Sequence, residues 1–338
     1  MNTHKTLILF FVISFITVLL IIIDFNIGDQ KLPIKSILKF FNIFGNDDEF
    51  HNTIKILRFP RILSAVLAGV ALSVSGLLMQ TIFRNPLADA SILGVSSGAG
   101  LGVAFVVLGS NFFFNIDVSS NVMQLVAAAI GAALIMAIIM LISIRLKDML
   151  SILIIGIIIS GVINAIILIL QSFANNINLK TFVLWTMGSL TGASFADIML
   201  LIPIICVSIV CVFCISKKLN LFLPGENFAK TMGVNVQTIK IIVFVLVSIL
   251  TGAITVFCGP IAFIGIISPH IARWLFNTSN HFLLIPATLL IGICFMLFGD
   301  IILNLMITDI NFPINAIISI LGTPFVLWIV IKNKRTIV

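Results

Sequence analysis

RFPRILSAVLAGVALSVSGLLMQTIFRNPLADASILGVSSGAGLG, residues 58–102, is the stretch on which the reading of this chain turns. Arg58 and Arg61 flank Pro60, and residues 62–83 that follow carry no charge. An apolar run of that length spans a bilayer as a helix. Pro86 disfavours helical geometry at Asn85, so Arg84-Asn85-Pro86 ends the helix in a polar turn. A second helix restarts near Ser91 with Gly94, Gly98 and Gly102 spaced by four on one face. Small residues at that spacing let two backbones approach closely inside a membrane.

Outward from this pair of helices the composition agrees. Hydrophobic residues are 60% of the 338 and charged residues 9%, against about 25% charged in soluble domains. The chain is an integral membrane protein, all-α. The net charge of +7 does not point to nucleic acid, because the basic residues sit singly or in pairs between apolar runs, without a basic stripe interleaved with aromatics. Cys206, Cys211, Cys214, Cys258 and Cys294 all lie in apolar runs. The Cys211-x-x-Cys214 spacing lacks the second pair a metal site needs, so they read as small buried hydrophobes.

Apolar runs predict about ten transmembrane helices, near 6–24, 62–82, 92–109, 122–143, 151–171, 196–215, 238–257, 261–276, 284–304 and 313–331. The N-terminal run is too long for the core of a signal peptide and reads as a retained span. With both termini inside, twelve of the nineteen Lys and Arg fall on the cytoplasmic side and seven outside, in the sense of the positive-inside rule. The whole chain, 1–338, is expected to form one domain: a first helix with its outer loop (1–57), a helical core (58–332) and a cytoplasmic insertion within it (217–236). Asp47-Asp48-Glu49 in the outer loop lacks the alternating ligand spacing of a calcium site.

Several polar positions admit two readings from the residues alone. Arg58 and Arg61, one helical turn apart, suit interfacial snorkelling or capture of carboxylates on an incoming protein by forked guanidinium donors. The segment 217–236, KKLNLFLPGENFAKTMGVNV, is broken by Pro224 and Gly225. A short helix after them would expose Phe228 and Met232, either as a solvated connector or as an element seated in a groove of a soluble partner. Gly94-Val95-Ser96-Ser97-Gly98 fits G-x-S-x-G, but a nucleophile elbow requires a strand–turn–helix context, and this copy opens a membrane helix. His270 and Arg273 lie on one face without further ligands nearby, so His270 reads as structural and no metal is expected. No G-x-x-x-x-G-K-[ST] occurs, so any ATP must be hydrolysed by another chain. An ion-coupled secondary carrier remains the alternative, although the ionisable residues within spans are few, with Asp300 the best placed and Asp197 at a helix start.

Taken together, RxPR, LMQ, RNPLAD and LGVSSGAG, all within residues 58–100, resemble the iron-siderophore/haem/cobalamin permease family of bacterial ABC importers. So do Gly225, Glu226, Ala229 and Gly233, which match a GExxAxxxG pattern, the block CGPIAFIGIISPHIAR at 258–273, and the C-terminal FPINAIISILGTPF at 312–325. The resemblance implies a multi-pass permease of the bacterial cytoplasmic membrane, without enzyme activity or cofactor. It would pair with a second permease chain, two cytoplasmic ATPase subunits and an extracytoplasmic binding protein, within membrane lipid. The implied cargo is an iron(III)-siderophore, a hydroxamate slightly ahead, with haem or cobalamin as alternatives. By the same resemblance Arg58 and Arg61 dock the binding protein. Gly225, Glu226, Phe228, Ala229, Met232 and Gly233 belong to the ATPase-coupling element, and Asp148, Met149, Leu150 and Ser151 to a cytoplasmic gate. Family members carry D-x-x-x-R after the ninth span, and Asp300 is followed at that spacing by Asn304. Asn315 likewise stands where glycine is usual.

Overall fold

A computed structural model describes residues 3–27, 54–109, 121–146, 149–306 and 313–333. Among them the chain forms twelve α-helices: α1 (Thr3–Asn26), α2 (Phe59–Phe83), α3 (Val95–Val107), α4 (Asn121–Arg145), α5 (Met149–Phe173), α6 (Asn176–Thr186), α7 (Phe195–Phe222), α8 (Glu226–Thr231), α9 (Val236–Cys258), α10 (Ile264–Phe276), α11 (His281–Leu305) and α12 (Ile314–Asn333). A single π-helical turn, Ile54–Arg58, leads into α2, and a 3-10 turn, Ala90–Leu93, leads into α3. Each of the ten runs expected to span the membrane coincides with one of these helices. Seven, α1, α2, α4, α5, α7, α9 and α11, are long and apolar enough to cross a bilayer. The other three, α3, α10 and α12, are shorter or interrupted: α3 and α10 have 13 residues each, and Pro324 lies inside α12. The expected outer loop, including Asp47, Asp48 and Glu49, lies largely outside the described residues.

α2 is the axis of the bundle. Its start is set by Pro60 at the first turn, where a missing N–H costs nothing. Its end is set by Arg84, whose backbone turns left-handed just before Asn85-Pro86. Between them nearly every residue is buried, because α7, α9, α10 and α11 surround it. Small residues make that enclosure possible. A Cβ on Gly76 would lie 1.9 Å from the carbonyl oxygen of Gly265 in α10, and one on Gly69 would lie 2.7 Å from that of Gly292 in α11. The backbones touch, as they do where dispersion between close-packed helices replaces a hydrophobic driving force.

The second layer is α3 against α4 and α5, joined to the axis through α9. α1 packs on α11, and α12 on α11 and α10. Outward faces stay apolar: Leu7, Phe11 and Phe15 on α1 and Ile154, Ile158 and Val162 on α5 are exposed. Apolar area on that scale is untenable in water and ordinary against lipid, so the molecule is inverted in polarity as a bilayer requires. Polar ends are capped locally. Ser194 and Asp197 form a capping box that opens α7, which accounts for the acidic residue at that helix start.

Candidate functional site

Four polar constellations stand out from the apolar body. The first is at the N-terminal end of α2. Arg61 meets the carboxylate of Asp300 bidentately: Nε lies 3.0 Å from both oxygens and Nη2 lies 2.6 Å from Oδ1. The Asp300 side chain is 1% exposed and that of Arg61 13%. Arg58 belongs to the π-turn rather than to α2, is buried, and donates from Nη1 to the carbonyl of Ile27. The two arginines therefore do not share an outward face, as their spacing suggests, but each has an inner partner. Arg61 and Asp300 border a cavity of about 290 Å³ lined also by Ser189, Thr191 and Pro313. Close by, Asn304 donates from Nδ2 to Oδ1 of the buried Asp24, 3.1 Å away. Sequence reasoning missed Asp24. Its signal was a carboxylate at the end of an otherwise apolar span.

The second constellation is the 217–236 segment. Gly225 and Gly233 hold φ of 132° and 80°, a region costly for any side chain, and bracket the six-residue helix α8. Ala229 is fully buried, while Phe228 is 43% and Met232 58% exposed. Glu226 reaches Lys240 of α9 with Oε1 2.8 Å from Nζ. Lys240 is buried at 3%, so Glu226 supplies its counter-charge. The sequence pattern thus has a physical content: two left-handed glycines turn the chain, an alanine permits contact, and a glutamate ties the turn down. The apolar pair that remains faces away from the body.

The third lies where α2 meets α10. Gln80, inside the apolar run of α2, donates from Nε2 to the carbonyls of Gly265 and Ile266 at 3.3 and 3.1 Å and accepts from Arg273 Nη1 at 2.5 Å. Those carbonyls flank the first turn of α10, and Gln80 and Arg273 together fasten that broken stretch to the axis. Asp89 of the RNPLAD turn abuts Gly265, since a Cβ there would fall 2.1 Å from Asp89 Oδ1. Ser91 Oγ donates to Asp89 at 2.8 Å. Burial pushes the Asp89 carboxyl above its ordinary range, against the lowering effect of those hydrogen bonds. His270 meets Trp328 edge-on, ring centroids 6.1 Å apart.

The fourth ties three helices together. His281 at the start of α11 lies 2.7 Å from Thr81 Oγ1 of α2 through Nε2 and 2.7 Å from Asn220 Oδ1 of α7 through Nδ1. Asn220 lies near the end of α7, just ahead of Pro224-Gly225, so these hydrogen bonds join the start of the 217–236 segment to α2 and α11. Polarity of this kind was invisible in the sequence, since each residue is isolated there.

Of the glycines singled out, Gly98 and Gly102 lie at the α3–α4 crossing, where Cβ atoms would fall 2.6 Å from Gly131 O and 1.9 Å from Ala127 O. Gly94 has a different position, capping α3 with φ 77°. Of the expected gate residues, Asp148 is outside the described residues, Met149 and Leu150 open α5, and Ser151 follows them, half-buried. Among the described residues no group of three His, Cys, Asp or Glu is placed to hold a metal.

A family model described as the FecCD transport family matches residues 16–332. This chain belongs to the FecCD transport family. FecCD permeases are transmembrane subunits of ABC importers whose ATPase is a separate chain, so the protein is a multi-pass permease of the cytoplasmic membrane and not itself an enzyme. Relatives include the hemin transport system permease protein HmuU of Yersinia pestis, 32% identical over 96% of each chain. The vitamin B12 import system permease protein BtuC of Salmonella paratyphi A is 31% identical over 82% of this chain and 83% of its own. The Fe(3+)-citrate import system permease protein YfmD of Bacillus subtilis is 28% identical over 93% and 91%. A solved structure of a metal-chelate type ABC transporter in an inward-facing conformation superposes with a TM-score of 0.82 at 26% identity, covering 97% of this chain and 99% of its own. As a FecCD permease the chain implies a second permease and ATPase partners.

Proposed function

We propose that this FecCD permease carries an iron(III)-siderophore, a hydroxamate first among them, inward across the membrane along the interface of two permease chains. Ten crossings with both termini cytoplasmic place the 217–236 segment inside, where the ATPase is. The observation that carries the coupling role is α8: a short helix locked by Gly225, Gly233 and the Glu226–Lys240 pair, presenting Phe228 and Met232 outward as an apolar knob for a groove in the ATPase. ATP binding draws the two knobs together, and Asn220 and His281 transmit the displacement to α7, α2 and α11. The opposite end receives the binding protein. There an incoming carboxylate reaches Arg61 through the 290 Å³ cavity and competes with Asp300, and Arg58 contributes to docking by holding the turn before α2 through the Ile27 carbonyl. Asp148, Met149, Leu150 and Ser151 form the inner gate, where Met149 and Leu150 at the start of α5 make an apolar constriction that closes by dewetting.

Haem is a second cargo reading, favoured by the HmuU relative that matches nearly end to end. Uptake in a deletion strain supplied with ferric hydroxamates, ferric catecholates, ferric citrate, haem and cobalamin decides between them. Restoration by this gene of hydroxamate uptake alone supports the first reading, and restoration of haem uptake alone replaces it. Phe228→Asp with Met232→Asp should abolish ATP-driven uptake while the permease remains in the membrane; unchanged uptake removes the coupling role.

A further inference from the structure

We propose that Arg84 is the ionic anchor of the ATPase interface, gripping a carboxylate at the edge of the groove that receives Phe228 and Met232. This rests on the coupling reading of α8 given above. Arg84 comes from a different segment, the turn that ends α2. Its backbone is left-handed there, with φ 49°, and its side chain is carried across to the start of α8. A Cβ on Gly225 would lie 3.4 Å from Arg84 Nη1 and 3.9 Å from Cζ. Phe228 follows Gly225 by three residues, about one helical turn. The guanidinium therefore stands beside the apolar knob.

The charge around α8 is one-sided. Glu226 is the only acidic residue between positions 217 and 240, and the buried Lys240 takes it, Oε1 lying 2.8 Å from Nζ. Lys217, Lys218 and Lys230 are exposed, as is Arg84. Among the described residues the ion pairs are Arg61–Asp300 and Glu226–Lys240, so Arg84 meets no carboxylate there. Asp89, in the same turn as Arg84, is buried and accepts from Ser91. A guanidinium laid against a neutral glycine keeps its forked donors for a carboxylate, which they bind through two hydrogen bonds. Exposed cations around two exposed apolar side chains, with no free acid, complement an apolar groove edged by Asp or Glu. Membership of an ABC importer family supplies such a partner in the ATPase.

The test is reassembly. Full-length permease in nanodiscs, of anionic or of neutral lipid, is titrated with the importer's purified ATPase subunit at about 0.1 M and about 1 M salt, where the screening length falls from about 10 to about 3 Å. At the lower salt Arg84→Gln should raise Kd about threefold to fivefold, the range of one exposed ion pair. Arg84→Glu should raise it about tenfold or more, and Arg84→Lys less than Arg84→Gln. At the higher salt Arg84→Gln and wild type should bind alike. Arg84→Gln carries the test if Arg84→Glu does not fold. Phe228→Asp with Met232→Asp separates this inference from the coupling reading. Lost binding in that variant, with wild-type Kd in the Arg84 variants, leaves α8 on the ATPase and overturns the role of Arg84. Undiminished binding in it removes α8 from the interface and Arg84 with it. An Arg84 effect confined to anionic nanodiscs would assign the guanidinium to lipid phosphate and overturn the proposal.

Discussion

Removing Arg61 should damage this protein more than removing Asp300, although the two share one ion pair. Three donor–acceptor contacts of 2.6 to 3.0 Å join them. Breaking a buried pair by deleting one partner costs about 3–5 kcal/mol, most of it from the charge left behind. In Arg61→Ala the orphan is Asp300, 1% exposed and in electrostatic contact with Asp24; the expected loss is near the upper end, about 5 kcal/mol. In Asp300→Ala the orphan is Arg61, at 13% exposure beside a cavity into which a long side chain can turn. The expected loss is near the lower end, about 3 kcal/mol. The double variant leaves no orphan charge, so the two losses should fail to add, with a coupling of about 2–3 kcal/mol. Reversible unfolding in mixed micelles, read by tryptophan fluorescence for all four proteins, measures each corner of the cycle. Additive losses, or a larger loss for Asp300→Ala, would refute the reasoning from burial.

Gly102→Leu should separate α3 from α4, because its Cβ would fall 1.9 Å from a backbone oxygen; the expected cost is at least about 1–3 kcal/mol. Gly161→Leu on α5, with nothing within 4 Å of the added atom, should be tolerated in the same unfolding assay. Lys240→Met should loosen α8 by removing the partner of Glu226, lowering ATP-driven uptake in vesicles with little change in the amount of permease; full uptake would show that the pair does not hold the segment. The Asp89 carboxyl is raised by burial, so its folded form prefers the proton and its stabilising effect disappears as pH rises through the folded value. Asp89→Asn should therefore flatten the fall in unfolding temperature as pH rises above the ordinary carboxylate range, and an unaltered pH profile would contradict the burial argument. A single cysteine at position 228 should react with impermeant reagents only in inside-out vesicles.

Helix positions were legible in the sequence because a bilayer accepts little else: a long uncharged run must satisfy its own backbone and so must be a helix. The same logic located the breaks at Arg84-Asn85-Pro86 and at Pro224-Gly225. The family, too, was readable, since its patterns occupy positions where the backbone leaves no freedom, such as Gly225 and Gly233 with their positive φ. Arg58 and Arg61 were less legible. Their spacing suggested one outward face, but a π-turn ends at Arg58, so the first lies outside α2 and the pair diverges.

By itself, then, the sequence determined that this chain lives in a membrane, where its helices lie, and to which family it belongs, because these follow from local composition and from short motifs. Only the tertiary structure decided which polar residues meet. Asp24, Arg61, Asp300 and Asn304 come from three helices, as do Thr81, Asn220 and His281, with partners 61 to 280 positions apart in the chain. In an apolar interior a buried polar group must find a partner wherever the packing brings one. That packing is fixed by contacts such as Gly76 on Gly265, which no single segment encodes.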